Sequence, residues 1–164
     1  KEGYHFVLFV IHPPPPSPSE ETNSKERDGE LLSVAKRLNE LNKPSIVIGD
    51  LNNVGWAKST ILFLKSGNLI DPRIGRGLIS TFHAKYWFFR FPIDLFFHST
   101  DVFVDKLKTL DYFGSDHFPI YSSFYINKKN KEQEELIETL ENEEKTEINQ
   151  IIKDGINEES ENRN

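Results

Sequence analysis

No cysteine and no methionine occur among the 164 residues. Without cysteine there is no disulfide, no thiolate metal site and no cysteine nucleophile, so any metal must be held by oxygen and imidazole ligands. The lack of methionine predicts that these residues belong to a longer reading frame. Long apolar runs are missing too: Phe6-Val7-Leu8-Phe9-Val10-Ile11 is only strand length, well short of the ~18 residues a membrane-spanning helix needs. The first residues do not have the layout of a signal peptide. There is no excess of positive charge. The net charge is −6, and from Lys128 to Asn164 six basic residues face twelve acidic ones, which leaves residues 1–127 balanced. A balanced body lacks the broad basic footprint of a protein that holds nucleic acid by phosphate contacts alone. No internal repeat is visible.

What is present fits one globular core, with 37% hydrophobic and 12% aromatic residues. Its centre is Ser45-Ile46-Val47-Ile48-Gly49-Asp50-Leu51-Asn52, a β-branched run closed by Gly-Asp-x-Asn. Such a run reads as a buried strand that delivers polar side chains where it leaves the sheet. If the backbone stays extended, Asp50 and Asn52 point to the same side and converge on one small volume. The alternative is an Asx turn after a strand.

Tyr4 to Ile11 is a second strand, continuous enough to suggest burial on both faces. It ends at His12, before Pro13-Pro14-Pro15-Pro16-Ser17-Pro18, a stiff stretch that reads either as a polyproline ligand or as a collar fixing His12. Leu31, Val34, Ala35, Leu38 and Leu41 recur at helical spacing and predict an amphipathic helix from about Lys25 to Leu41, stopped by Pro44. A second helix is expected over about Ala57–Ser66, with Ile61, Leu62 and Leu64 inside and Gly67 as its C-cap. Asp71 to Gly77 is a turn-rich loop carrying Arg73 and Arg76. Short strands are expected at Ser80–His83, Ile93–His98 and Val102–Val104, with a final strand over Ile120–Ile126. Tyr86 to Phe91 is an aromatic cluster that reads either as core or as a contact surface. The tail from Lys128 reads as disordered or marginally helical, because Gly155 and the charge density oppose the stripe of Leu136, Leu140, Ile148, Ile152 and Ile156.

Gly49-Asp50-Leu51-Asn52, Pro92-Ile93-Asp94 and Gly114-Ser115-Asp116-His117-Phe118-Pro119 resemble three signatures of the endonuclease/exonuclease/phosphatase superfamily, the deoxyribonuclease I-like fold. The resemblance covers about residues 4–126 and extends to a bacterial subgroup whose members often carry membrane helices before the catalytic domain. It implies an α/β fold in which two packed, mostly antiparallel β-sheets are flanked by helices as a four-layer sandwich. Residues 1–127 then represent only the C-terminal half of the domain, and 128–164 the acidic tail. The family's N-terminal half supplies an Asn and a metal-binding Glu that have no counterpart here, so these residues alone are expected to lack most activity.

By the same resemblance Asp116 is a metal ligand, and His117 acts on the phosphate or its attacking water while Asp94 orients its imidazole. Asp50 positions or deprotonates the water, Asn52 donates hydrogen bonds to phosphoryl oxygens, and His12 is the second imidazole. Arg73, Arg76 and Arg90 are the candidate substrate-binding residues. The implied reaction is metal-dependent hydrolysis of a phosphodiester or phosphomonoester by water. A hard cation suits a thiol-free, carboxylate-rich site, Mg²⁺ first, with Mn²⁺ and Ca²⁺ as alternatives. The substrate is a phosphate ester of a nucleic acid or a phospholipid headgroup, with no stable protein partner inferred. Two readings stay open beside it: a lipid-headgroup phosphoesterase at a membrane, for which the aromatic cluster is the motive, and a non-catalytic interaction module. His83 and His98 read as structural or surface residues, and Trp56 as packing.

Overall fold

A computed structural model describes residues 3–15, 22–128 and 130–162. In chain order the elements are β1 (Val7–Val10), α1 (Thr22–Leu41), β2 (Ser45–Asp50), α2 (Lys58–Gly67), β3 (Leu69–Ile70), β4 (Asp94–Ser99), β5 (Val102–Thr109), β6 (Ile120–Ile126) and α3 (Asn142–Asn162). The larger sheet has the order β1-β2-β4-β3, with β1 parallel to β2 and the other pairs antiparallel. β5 and β6 form a separate antiparallel pair. Pro16, Ser17 and Pro18, and with them part of the expected collar, lie outside the described residues.

The period of two along β2 and β4 feeds two cores. Val47, Leu51, Leu95 and Phe97 pack against Leu31, Leu32, Ala35 and Leu38 of α1 and Leu62 and Phe63 of α2. Ile46 and Phe96 point the other way and meet Val102, Val104, Phe124 and Ile126 of the smaller sheet. Burial on both faces is what turns an alternating pattern into a continuous apolar run. The result is the expected α/β arrangement of two packed sheets with helices outside.

β1 departs from this. It is an edge strand whose Phe9 and Ile11 meet the helix-side core, while Leu8 and Val10 are exposed. Burial on both faces is not observed, because no described element covers the second face of β1. In α2 the inward residues are Leu62 and Phe63, and Ile61 is exposed. Gly67 is the last helical residue rather than the cap. Asn68 takes the left-handed conformation (φ 51°), and its N–H reaches the carbonyls of Leu64 and Lys65. Residues 80–83 form no strand; Phe82 makes single bridges to Phe91 and His117.

The tail forms a docked helix. Ile148 of α3 is buried in the helix-side core. Gly29 of α1 and Gly155 of α3 meet where the helices cross: a Cβ on Gly155 would lie 2.7 Å from the Lys25 carbonyl oxygen and 2.9 Å from the Gly29 Cα. A glycine inside a helix costs about 1 kcal/mol relative to alanine. Here it admits the close approach that a side chain would block. Lys65 bonds Glu144 at 2.8 Å, Lys36 bonds Asn149 at 2.8 Å, and Lys58 pairs with Glu147.

Candidate active site

The site forms where β1 and β2 end and β4 begins. After β1 the chain crosses the end of β2 so closely that a Cβ on Gly49 (φ +151°) would lie 1.8 Å from the Ile11 carbonyl oxygen. Only glycine permits that approach, and it places His12 beside Asp50. Asp50 Oδ1 then accepts the Asn52 N–H at 2.9 Å, and Asn52 turns into the left-handed region (φ 47°). The Asx turn is therefore real, and the extended path that would aim Asn52 alongside Asp50 is not followed. Asn52 Nδ2 donates to the Pro13 carbonyl at 3.0 Å, and its own carbonyl accepts from Arg27 Nη1 at 3.0 Å. In this turn Asn52 ties the ends of two strands together.

Asp50 and Asp94 are direct cross-strand partners in the β2–β4 ladder. Like charges placed opposite each other destabilise a sheet by roughly 0.2–1 kcal/mol, which marks the pair as held for something other than folding. His117 reaches both carboxylates from a neighbouring loop. Its Nδ1 lies 2.7 Å from Asp94 Oδ2 and its Nε2 3.7 Å from Asp50 Oδ2, while His12 Nε2 approaches the same Asp50 oxygen at 3.8 Å. Asp50 Oδ2 thus sits between two imidazole nitrogens, just beyond hydrogen-bond reach of either. Partial burial pushes the Asp50 carboxyl above the ordinary aspartate range; the Asn52 N–H opposes this, the Asp94 charge adds to it, and the two histidines oppose it.

The loop 114–119 delivers His117. Its N–H donates to Ser115 Oγ at 3.1 Å, its ring lies 4.9 Å from that of Phe82, and the Phe118 N–H donates to the Thr81 carbonyl at 3.0 Å. Buried Thr81 also accepts the Asp94 N–H on its Oγ1, at 3.3 Å. Asp116, expected to hold a metal, is exposed, and its Oδ1 accepts from Ser115 Oγ at 3.4 Å. Among the described residues, the ligand atoms that converge within 4.8 Å are those of Asp50, Asp94 and His117. Two opposed carboxylates and an imidazole suit a divalent cation, so the residues fit the kind of metal site that the fold implies.

The arginines do not gather at this centre. Arg73 is buried and forks onto Asp71, with Nη2 2.5 Å from Oδ2 and Nε 2.9 Å from Oδ1, and so braces its loop. Arg76 donates to the Val104 carbonyl at 2.7 Å, on β5. Arg90 remains near the site, bonded to the Ala84 carbonyl at 3.1 Å with its guanidinium 4.8 Å from the Phe118 ring. Asn53 is buried against Ser59 at 2.9 Å. His98 is buried in β4 and held against the Ser99 carbonyl, and burial lowers its pKa. The His83 ring lies tilted against Phe82 and edge-on to Tyr86. The expected structural roles of both histidines agree with these contacts. Arg27 and Thr81 are site residues that no sequence motif marks. A signal existed for Arg27, which continues the stripe of Leu31, Ala35 and Leu38 one turn earlier on α1.

The family model described as Endonuclease/Exonuclease/phosphatase family matches residues 2–117. No curated protein matches the sequence. Among solved structures, a mannosyl-6-phosphatase from Bacteroides thetaiotaomicron is similar at 22% identity and a TM-score of 0.58, over 73% of this chain and 51% of that one. A functionally unknown conserved protein from Enterococcus faecalis aligns at 19% identity and a TM-score of 0.59, over 73% and 50%. The human Nocturnin catalytic domain, solved with bound sulfate, aligns at 17% identity and a TM-score of 0.54, over 72% and 46%. The chain spans about half the length of these structures.

Proposed function

This chain belongs to the endonuclease/exonuclease/phosphatase family, and from that premise we propose that it is a metal-dependent phosphoester hydrolase in which water attacks phosphorus directly. Residues 1–127 are assigned to the C-terminal part of the catalytic domain, with 128–164 as an appended segment. The observation that carries the reading is the triad of Asp50, Asp94 and His117 at the joined ends of β2 and β4, with His12 opposite.

Asp94 accepts from His117 Nδ1 and so leaves Nε2 facing Asp50. That is the nitrogen able to take a proton from water or return one to the leaving oxygen. Asp50 holds the attacking water between the imidazoles of His117 and His12. As the water oxygen bonds to phosphorus and the ester P–O bond breaks, the proton passes to this carboxylate–imidazole set. Asp50 and Asp94 would hold a divalent cation, which would supply charge neutralisation at the phosphoryl oxygens, and Asp116 is a further carboxylate on the His117 loop. Arg90, beside Phe118, is the arginine best placed to meet the rest of the substrate. The family likeness does not select among phosphate esters.

The test is release of 4-nitrophenol from bis(4-nitrophenyl) phosphate with Mg²⁺ or Mn²⁺, by the protein and by His117→Ala. Metal-stimulated hydrolysis that falls roughly 10²-fold or more in the variant supports the reading. Hydrolysis indifferent to both chelation and the substitution overturns it.

A further inference from the structure

Beside this site stands a knob of aromatic side chains with no counterpart in the chemistry above. Trp87–Phe89 is a short 3₁₀ turn with no buried residue. Trp87 is 78% exposed, Phe88 61%, Phe89 58%, Tyr86 53% and Phe91 46%. Leaving that much aromatic surface in water is costly, since burying one such side chain is worth about 1.5–3 kcal/mol. Contiguous apolar patches of this kind mark interaction surfaces.

We propose that this knob is a membrane-docking surface, which enters the headgroup region of a bilayer and brings the His117 site to a phosphate ester carried there. Tryptophan, tyrosine and phenylalanine flanked by basic residues are the side chains that settle at a bilayer interface. Here the charge agrees: from Phe82 to Ile93 the sequence holds Lys85 and Arg90 and no acidic residue, in a protein of net charge −6. Lys85 precedes the knob, Arg90 lies within it, and both are exposed. A positive, aromatic tip on an acidic protein is complementary to an anionic lipid surface.

Single-stranded nucleic acid is the competing partner for exposed aromatics, and the ring geometry disfavours it. Trp87 and Phe88 meet at 88°, Phe88 and Phe89 at 52°, and Tyr86 and Phe88 at 49°. The rings lock into one another as a plug, whereas a stacking platform presents successive faces to successive bases.

The connection to the site is short. Phe82 bridges to Phe91 at the base of the knob and to His117 in the site, the His83 N–H donates to the Phe89 carbonyl at 2.9 Å, and the Ala84 N–H donates to the Asp116 carbonyl at 2.6 Å. A knob seated in the headgroup layer therefore holds His117 close to it, with Phe82 alone between Phe91 and His117. Docking itself is independent of catalysis; only the membrane-borne substrate rests on the hydrolase reading.

The experiment separates the two. In a Trp56→Phe background Trp87 is the one remaining indole, the sequence having two tryptophans. Its emission should shift to the blue with phosphatidylcholine vesicles containing phosphatidylserine, and less with phosphatidylcholine alone. The triple variant Trp87→Ser, Phe88→Ser, Phe89→Ser should lose vesicle co-sedimentation by roughly tenfold or more, with melting temperature and hydrolysis of soluble bis(4-nitrophenyl) phosphate unchanged. Hydrolysis of a phosphodiester displayed on vesicles should fall with it. No vesicle binding, equal binding by the triple variant, or loss in that variant of oligonucleotide binding or self-association instead would each overturn the docking surface. None of these outcomes depends on whether the soluble substrate is turned over.

Discussion

Asp50→Asn should separate the cost of the site from its use. Asparagine keeps the shape and keeps an oxygen for the Asn52 N–H, so the Asx turn survives. What disappears is the negative charge opposite Asp94. The variant should gain roughly 0.2–1 kcal/mol, the scale for relieving like charges across a ladder. For a chain of this size that is a rise in melting temperature of at most about 4 °C, while metal-dependent hydrolysis falls roughly 10²-fold or more.

The pH dependence has a definite sign. The Asp50 carboxyl titrates above its unfolded value, so the folded state binds that proton more tightly. The stability this confers is full below the ordinary aspartate range and is lost as pH rises through the elevated value. Asp50→Asn has no such loss, and its advantage should be absent in acid and complete at neutral pH. Added metal should act in the opposite sense: at roughly ten times Kd it contributes about 1.4 kcal/mol to the parent protein and little to the variant. Thermal melts across pH, with and without Mg²⁺ or Mn²⁺, measure all of this. A variant less stable than the parent at neutral pH that keeps its activity would refute the reasoning and leave Asp50 as a turn former.

Further outcomes follow from single contacts. Asp94→Ala and His117→Ala should each lower kcat with little change in KM, and the double variant should be scarcely worse than the worse single one; multiplicative losses would separate the pair. Arg73→Ala should leave KM unchanged and destabilise by about 3–5 kcal/mol, because buried Asp71 is left unpaired; calorimetry with kinetics distinguishes this from a substrate-binding arginine. Gly155→Ala should destabilise by roughly 1–3 kcal/mol, as the added methyl meets the Lys25 carbonyl, and a neutral result would mean that α3 does not dock as described.

The positions of the strands and of the polar residues at their ends were legible because both follow from local rules. An apolar run must stop, and Gly-Asp-x-Asn, Ile-Asp and Ser-Asp-His are stops carrying chemistry. Spacing could not say which carboxylates meet. That depends on register, and the β2–β4 register places Asp94 opposite Asp50 while Asp116 faces solvent. Nor could it tell a free arginine from a spent one, since Arg73 finds its partner two residues away inside the same turn. The tail was illegible for a related reason. Gly155 weakens an isolated helix and becomes an asset only against Gly29, a contact 126 residues distant in the chain as Gly29 and Gly155 are numbered.

That contact also bears on the site. The backbone that Gly155 meets belongs to Lys25 and Gly29, and between them stands Arg27, which holds the Asn52 carbonyl and with it the turn presenting Asp50. Arg27 is buried and paired with Asp28 at 2.9 Å, so its guanidinium has little freedom to follow a displaced helix. A shift of α1 under an overpacked α3 is transmitted to the catalytic turn through one hydrogen bond. Gly155→Ala should therefore lower kcat as well as stability. Arg27→Met should reproduce the kcat loss with α3 still docked, as read from the helical signal and from protection of amides around Ile148.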